Sequence, residues 1–174
     1  ENRIVTSRML PDAFHDCRVE RLAPYFVALQ ETVRRLSPHD RDNPRVALLS
    51  QGPESANYFE DAYLARYLGY TLVEGDDLTV RNNEVMMKTL DGLLPVHVVL
   101  RRPNSEYCDP LELHEASRLG TPGMLQAVRR GGVSILNALG SGLVESPVFM
   151  AYLPGLCKAI FGEELLMPGV ATWW

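Results

Sequence analysis

Apolar residues recur at helical spacing through Leu22, Tyr25, Phe26, Leu29, Val33 and Leu36, which predicts an amphipathic helix over residues 22–37. Ahead of it, residues 1–10 carry a weaker helical pattern that Pro11 ends, and residues 12–21 read as polar and irregular. The polar stretch from Ser37 to Pro44, with two prolines, reads as a loop. Residues 1–44 are thus expected to be a helical N-terminal arm and linker, and residues 45–174 the main domain, the whole forming one compact body.

At Arg45 the period changes. The run Arg45-Val46-Ala47-Leu48-Leu49-Ser50 stops at Gln51-Gly52-Pro53, as a buried strand does. A helix follows with Tyr58, Phe59, Ala62, Tyr63, Ala65 and Leu68 expected on its inner face and Gly69 just past its end. Tyr70 to Val73 is the next strand, and such a β–α–β unit defaults to parallel pairing with a right-handed crossover. Leu78–Arg81 and Glu84–Thr89 flank Asn82-Asn83 and read as a hairpin, because Asn tolerates the positive φ of a tight turn. Val96 to Leu100 reads as a buried strand ending at Arg101-Arg102, Pro122 to Arg130 as a helix, and Val133 to Leu136 as a further strand. A last helix is expected from Ser146 to Phe161, interrupted or kinked at Pro154-Gly155. Alternation of this kind predicts an α/β fold: a small parallel sheet with helices on both faces and a hairpin insertion.

Composition narrows the function classes. Seventeen Lys and Arg stand against 22 Asp and Glu, a formal charge of -5, so no electrostatic reason points to nucleic acid or an anionic membrane. No apolar run reaches the roughly 20 residues of a membrane span, and no signal peptide is expected from the residues at Glu1 onward. Cys17, Cys108 and Cys157 are odd in number and far apart, so they read as reduced thiols in a cytoplasmic protein. The four histidines form no metal constellation; His97, within a strand, reads as a hydrogen-bonded structural residue.

Ligands of open α/β sheets bind beyond the carboxyl ends of the strands. Three loops occupy such places: Ser50, Gln51, Gly52 and Glu54 after the first strand, Arg101, Arg102 and Asn104 after the Val96 to Leu100 run, and Asn137 with Gly140, Ser141 and Gly142 after the last. A βα loop is polar whatever its role, so these are candidate substrate-binding positions and no more. Arg101 and Arg102 together are able to clamp a carboxylate or phosphate through forked hydrogen bonds. Equally, Arg102 pairs with Asp109 or Glu106 and only pins the loop. Gly140-Ser141-Gly142 lacks the third glycine of a dinucleotide loop, Glu145 standing in its place, and reads as a structural turn. Neither a lysine-bearing phosphate loop nor a serine nucleophile elbow is present. Cys108 beside Asp109 reads as a packed thiol rather than a nucleophile, since no base is in evidence.

A series of stretches nonetheless resembles the circularly permuted ATP-grasp type 2 family, relatives of glutathionylspermidine synthase-like ligases. The carriers, in the family's order, are Glu1-Asn2-Arg3, Leu48-Leu49-Ser50-Gln51-Gly52-Pro53, Tyr58-Phe59-Glu60, Glu74-Gly75-Asp76-Asp77-Leu78, Arg101-Arg102, Asp109-Pro110-Leu111, Gly120-Thr121-Pro122-Gly123-Met124, Asn137 to Gly142, and Pro168-Gly169-Val170. The resemblance implies a Rossmann-like, pre-ATP-grasp domain lying between the two halves of an ATP-dependent carboxylate–amine ligase. It also implies ATP and magnesium in the intact parent, with Glu1 and Asn2 as an acid–amide magnesium pair there, and neither cofactor on this segment alone. Implied partners are the remaining ATP-grasp halves and a peptide, amino-acid or polyamine-like substrate, without nucleic acid or membrane. The family's acidic residues after the arginine pair are replaced by Pro103-Asn104-Ser105, which bears on the choice of amine. Two rival readings stand beside it: a stand-alone α/β binding or scaffold module taking a small anion on Arg101 and Arg102, and a hydrolase using Cys108.

Overall fold

The computed structural model describes residues 2–38 and 42–173; Glu1, His39, Asp40, Arg41 and Trp174 lie outside the described residues. It divides into two compact units, Glu1–Ala138 and Leu139–Trp174.

The first unit carries the sheets. Helices α1 (Asn2–Met9), α2 (Pro11–Asp16) and α3 (Ala23–Arg35) lead to strand β1 (Val46–Leu49), helix α4 (Tyr58–Leu68) and strand β2 (Thr71–Val73). Strands β3 (Leu78–Arg81), β4 (Glu84–Thr89) and β5 (Gly92–Val96) follow, then β6 (Val98–Arg101), helix α5 (Met124–Arg129) and β7 (Ser134–Leu136). Pro11 does not simply end the first helix. It starts α2, because proline's fixed φ suits a first helical position and its missing N–H is no loss there.

Four strands form a parallel sheet in the order β2-β1-β6-β7. The chain steps from β1 to β2 in one direction and from β6 to β7 in the other. By the right-handed rule for parallel crossovers, connections that step in opposite directions place α4 and α5 on opposite faces. All four residues of β1 are buried, as a central parallel strand covered on both sides must be. Val46 and Val98 pair in register, and Val33 of α3 packs on both, with Leu29, Tyr70 and Leu136 around them. Phe26 and Tyr67, 4.5 Å between ring centroids, hold α3 beside α4.

Two expectations need correction. The run through Val96 to Leu100 is not one strand. The chain breaks at His97, so that β5 completes an antiparallel sheet β3-β4-β5 while β6 enters the parallel one. The insertion is therefore a three-stranded meander. Its third strand is hard to read because Pro95 demotes the segment, yet proline is tolerated on an edge strand such as β5. The expected hairpin itself is there, with Asn82 at φ 52° and Asn83 at φ 63° in its turn. Asn83 lies against Gly132, where an added Cβ would come 1.9 Å from the Asn83 carbonyl oxygen, so only glycine fits.

The inner face of α4 also differs. Asp61, Ala65 and Leu68 are buried, at i, i+4 and i+7, whereas Phe59 is 79% exposed. The second unit contains a 3₁₀ segment Ser141–Glu145 and helix α6 (Val148–Phe161), which runs as one element across Pro154. No helix among the described residues is long and apolar enough to cross a membrane.

Candidate functional site

Because β1 and β6 are neighbours whose outgoing connections turn opposite ways, their carboxyl ends flank the crevice where an open α/β sheet takes its ligand. Ser50 leaves β1 there and Arg102 leaves β6. Backbone bonds fix both: the Ser50 N–H donates to Val73 O at 2.8 Å and the Arg102 N–H to Leu49 O at 3.0 Å.

Their side chains meet on one residue of α4. The Ser50 hydroxyl donates to Asp61 Oδ2 at 3.2 Å, and Arg102 Nε donates to Asp61 Oδ1 at 2.6 Å. Arg102 Nη2 reaches Glu60 Oε1 at 3.3 Å, while the Gly52 N–H donates back to Ser50 Oγ at 3.2 Å. Asp61 is 1% exposed, so its charge is tolerable only because a guanidinium and a hydroxyl bond it. The pattern Asp61, Ala65, Leu68 holds the one sequence signal for this group: an acid in the first place of a buried helical stripe. Sequence reasoning passes over it, since acids are ordinarily assigned to solvent.

The arginine pair does not act as one clamp. Successive residues of a strand project to opposite faces, and Arg101 accordingly turns away from α4. Its Nε donates to Asn137 O at 3.0 Å and its Nη1 to Pro103 O at 2.5 Å. Arg102 pairs with Asp61 and Glu60, not with Asp109 or Glu106 as the sequence allowed. Asp109 has other work. Fully buried, it accepts the N–H groups of Leu111 (2.9 Å), Gly123 (3.2 Å) and Leu125 (2.9 Å), joining the loop after β6 to the start of α5.

The remaining candidates fall as follows. Gln51 is half-buried and Glu54 is exposed, both on the loop after β1. Asn104 opens a 3₁₀ turn over Ser105–Tyr107, and its carbonyl accepts the Tyr107 N–H at 3.0 Å. Asn137 follows β7 and is tied to Arg101 through its carbonyl. Gly140, Ser141 and Gly142 belong to the second unit, with Gly140 at φ 86° entering the 3₁₀ segment. Asn2 begins α1, exposed, its carbonyl accepting the Thr6 hydroxyl at 2.7 Å; Glu1 lies outside the described residues.

Two side chains lose their chemical candidacy. Burial pushes the Cys108 thiol up to about 11, with Arg101 opposing and Asp109 adding, so little thiolate is present near neutrality. His97 Nδ1 accepts the Arg45 N–H at 2.8 Å, which places the ring at the amino ends of β1 and β6, away from the crevice.

Among the described residues, no group of three or more His, Cys, Asp or Glu is arranged to hold a metal ion. At the turn after β1, a Cβ on Gly52 would lie 3.1 Å from Glu74 Oε2, so a phosphate approaching that backbone would face a carboxylate.

Comparison with known proteins places the whole chain. A family model described as circularly permuted ATP-grasp type 2 matches residues 1–174. An uncharacterized protein of Mycobacterium tuberculosis (strain ATCC 25618 / H37Rv) is 37% identical over 173 residues, 99% of this chain and 20% of its own length. An uncharacterized protein of Synechocystis sp. is 36% identical over 173 residues, 99% of this chain and 36% of its own. One of Mycobacterium leprae is 35% identical over 172 residues, again 99% of this chain and 31% of its own. The chain thus spans only 20% to 36% of the length of these relatives.

Proposed function

The chain belongs to the circularly permuted ATP-grasp type 2 family, and from that premise we propose that it forms the substrate-side domain of an ATP-dependent carboxylate–amine ligase, without catalytic power of its own. In this reading a substrate carboxylate takes the γ-phosphoryl group of ATP, releasing ADP. An amine then attacks the acyl carbon, loses a proton and displaces inorganic phosphate. The work asked of a protein in such chemistry is to hold the acyl group and the amine in line and away from water.

The observation that carries the reading is that Ser50 and Arg102, leaving the neighbouring strands β1 and β6 at their carboxyl ends, are locked to a single buried carboxylate. A rigid pair of strand ends is what a substrate-positioning wall needs. The reading assigns no chemical step to the described residues. The reading puts the nucleotide and magnesium on the rest of the longer chain, with the remaining ATP-grasp halves as partners of this domain in a cytoplasmic enzyme. A peptide, amino-acid or polyamine-like substrate would lie against Ser50, Gln51 and Gly52.

Calorimetric titration of magnesium-ATP into this chain and into the full-length Mycobacterium tuberculosis relative tests the division of labour. Binding to the longer protein alone is the expected result. Comparable binding to this chain would overturn the reading and make the domain a nucleotide binder in its own right.

A further inference from the structure

Within the first unit, on the outer side of α4, a cavity of about 250 Å³ opens among α1, α3 and α4. Its wall is rich in rings: Tyr25 and Phe26 from α3, Tyr63 and Tyr67 from α4, with Glu60 and Arg102 at its polar end. We propose that this cavity binds a small organic cation, an ammonium group carried on an aromatic or alkyl body.

The shape of the wall gives the apolar half of the argument. Phe26 and Tyr67 lie 4.5 Å apart, Tyr25 meets Phe26 edge-on at 5.2 Å, and Tyr63 stacks on Tyr67 at 6.2 Å with planes 20° apart. The rings brace one another, so they form a preset wall rather than four separate side chains. Ring faces carry negative quadrupole potential and attract a cation placed over them.

The charges give the other half. Arg102 is the positive group at the polar end, and buried Asp61 already holds its Nε at 2.6 Å. Glu60, 3.3 Å from Nη2 and with a side chain 59% exposed, lines the cavity; taken with Asp61, which does not line it, the two carboxylates outnumber the guanidinium by one. A ligand carboxylate would compete with Glu60 and Asp61 for the same guanidinium and would lie against ring faces. An ammonium would meet Glu60 and those faces together. The complementarity favours the cation at Glu60 and over the ring faces, while the Arg102 charge is already answered by Asp61. The inference shares Arg102 and Asp61 with the strand-end group of the ligase reading, but it needs neither Ser50 nor a nucleotide, and a failure of the amine titration leaves the magnesium-ATP result untouched.

The test uses 2-phenylethylamine, a cation at neutral pH, against 3-phenylpropionate, which has a similar body and the opposite charge, each titrated calorimetrically into the whole chain. Saturable millimolar binding of the amine, and none of the carboxylate, is expected. Glu60→Gln should weaken the amine about tenfold, the loss of one charged hydrogen bond. Tyr67→Leu should weaken it about threefold by removing a ring face while keeping an apolar side chain. Circular dichroism of both variants should match the parent chain. The proposal is overturned if the carboxylate binds as well as the amine, if the amine does not saturate in the millimolar range, or if a folded Glu60→Gln chain binds it unchanged.

Discussion

Arg102 Nε lies 2.6 Å from Asp61 Oδ1, and this contact ties the carboxyl end of β6 to a helix that enters between β1 and β2. Asp61 is 1% exposed and Arg102 has a side chain 31% exposed, so the carboxylate depends on the guanidinium more than the reverse. Arg102→Ala strands a buried charge and should cost about 3–5 kcal/mol. Ser50→Ala removes a single neutral donor to the same carboxylate and should cost about 1 kcal/mol. Urea unfolding of the two variants, compared at equal m-values, checks the ranking. Equal costs would mean that the ion pair does not hold the crevice together.

Asp109 is the second buried acid, and its partners are three backbone N–H groups with no cation among them. Asp109→Ala leaves those donors without their acceptor and should destabilise the chain by at least about 3 kcal/mol. Hydrogen exchange offers a local readout. The amides of Leu111, Gly123 and Leu125 should lose protection well beyond the average amide of the domain.

The Cys108 thiol gives a pH signature. Its folded value of about 11 lies above the ordinary thiol value of 9.0, so the folded state keeps the proton where the unfolded chain gives it up. The stabilisation is complete below about pH 9 and falls away as pH rises toward 11, by up to about 2–3 kcal/mol. Tyr70, also raised by burial, acts in the same direction at higher pH. The Cys108 share is therefore the difference between the parent chain and Cys108→Ala, whose alkaline slope should be shallower. Alkylation at neutral pH should label exposed Cys17 and spare Cys108 in the folded state.

Two glycines should respond oppositely to alanine. At Gly132 the new Cβ would stand 1.9 Å from the Asn83 carbonyl oxygen, backbone against backbone, and cannot be relieved by a side-chain shift. A loss of more than about 2 kcal/mol is expected there. Gly155, inside α6, has nothing within 4 Å, and alanine should stabilise the helix by about 0.5–1 kcal/mol. Thermal unfolding of the two single variants would show shifts of opposite sign.

The class of fold and the ends of its sheet are legible in the order of residues alone. Val46 to Leu49 is apolar at every position because a central parallel strand has no solvent face, and that leaves a mark any reader of period can find. Asn82-Asn83 marked its turn for an equally local reason, the positive φ that few residues accept. The loops after β1 and β6 were likewise legible as candidate ligand positions, since strand ends follow from strand existence. The folded chain, and not any local pattern, parts β5 and β6 at His97 into different sheets, because pairing partners lie far along the chain. It alone turned Phe59 outward and Asp61 inward, and sent Arg101 and Arg102 to different partners. A charged side chain is buried when another element brings it a counter-charge, and Arg102, 41 residues away from Asp61, is invisible to any pattern confined to one helix.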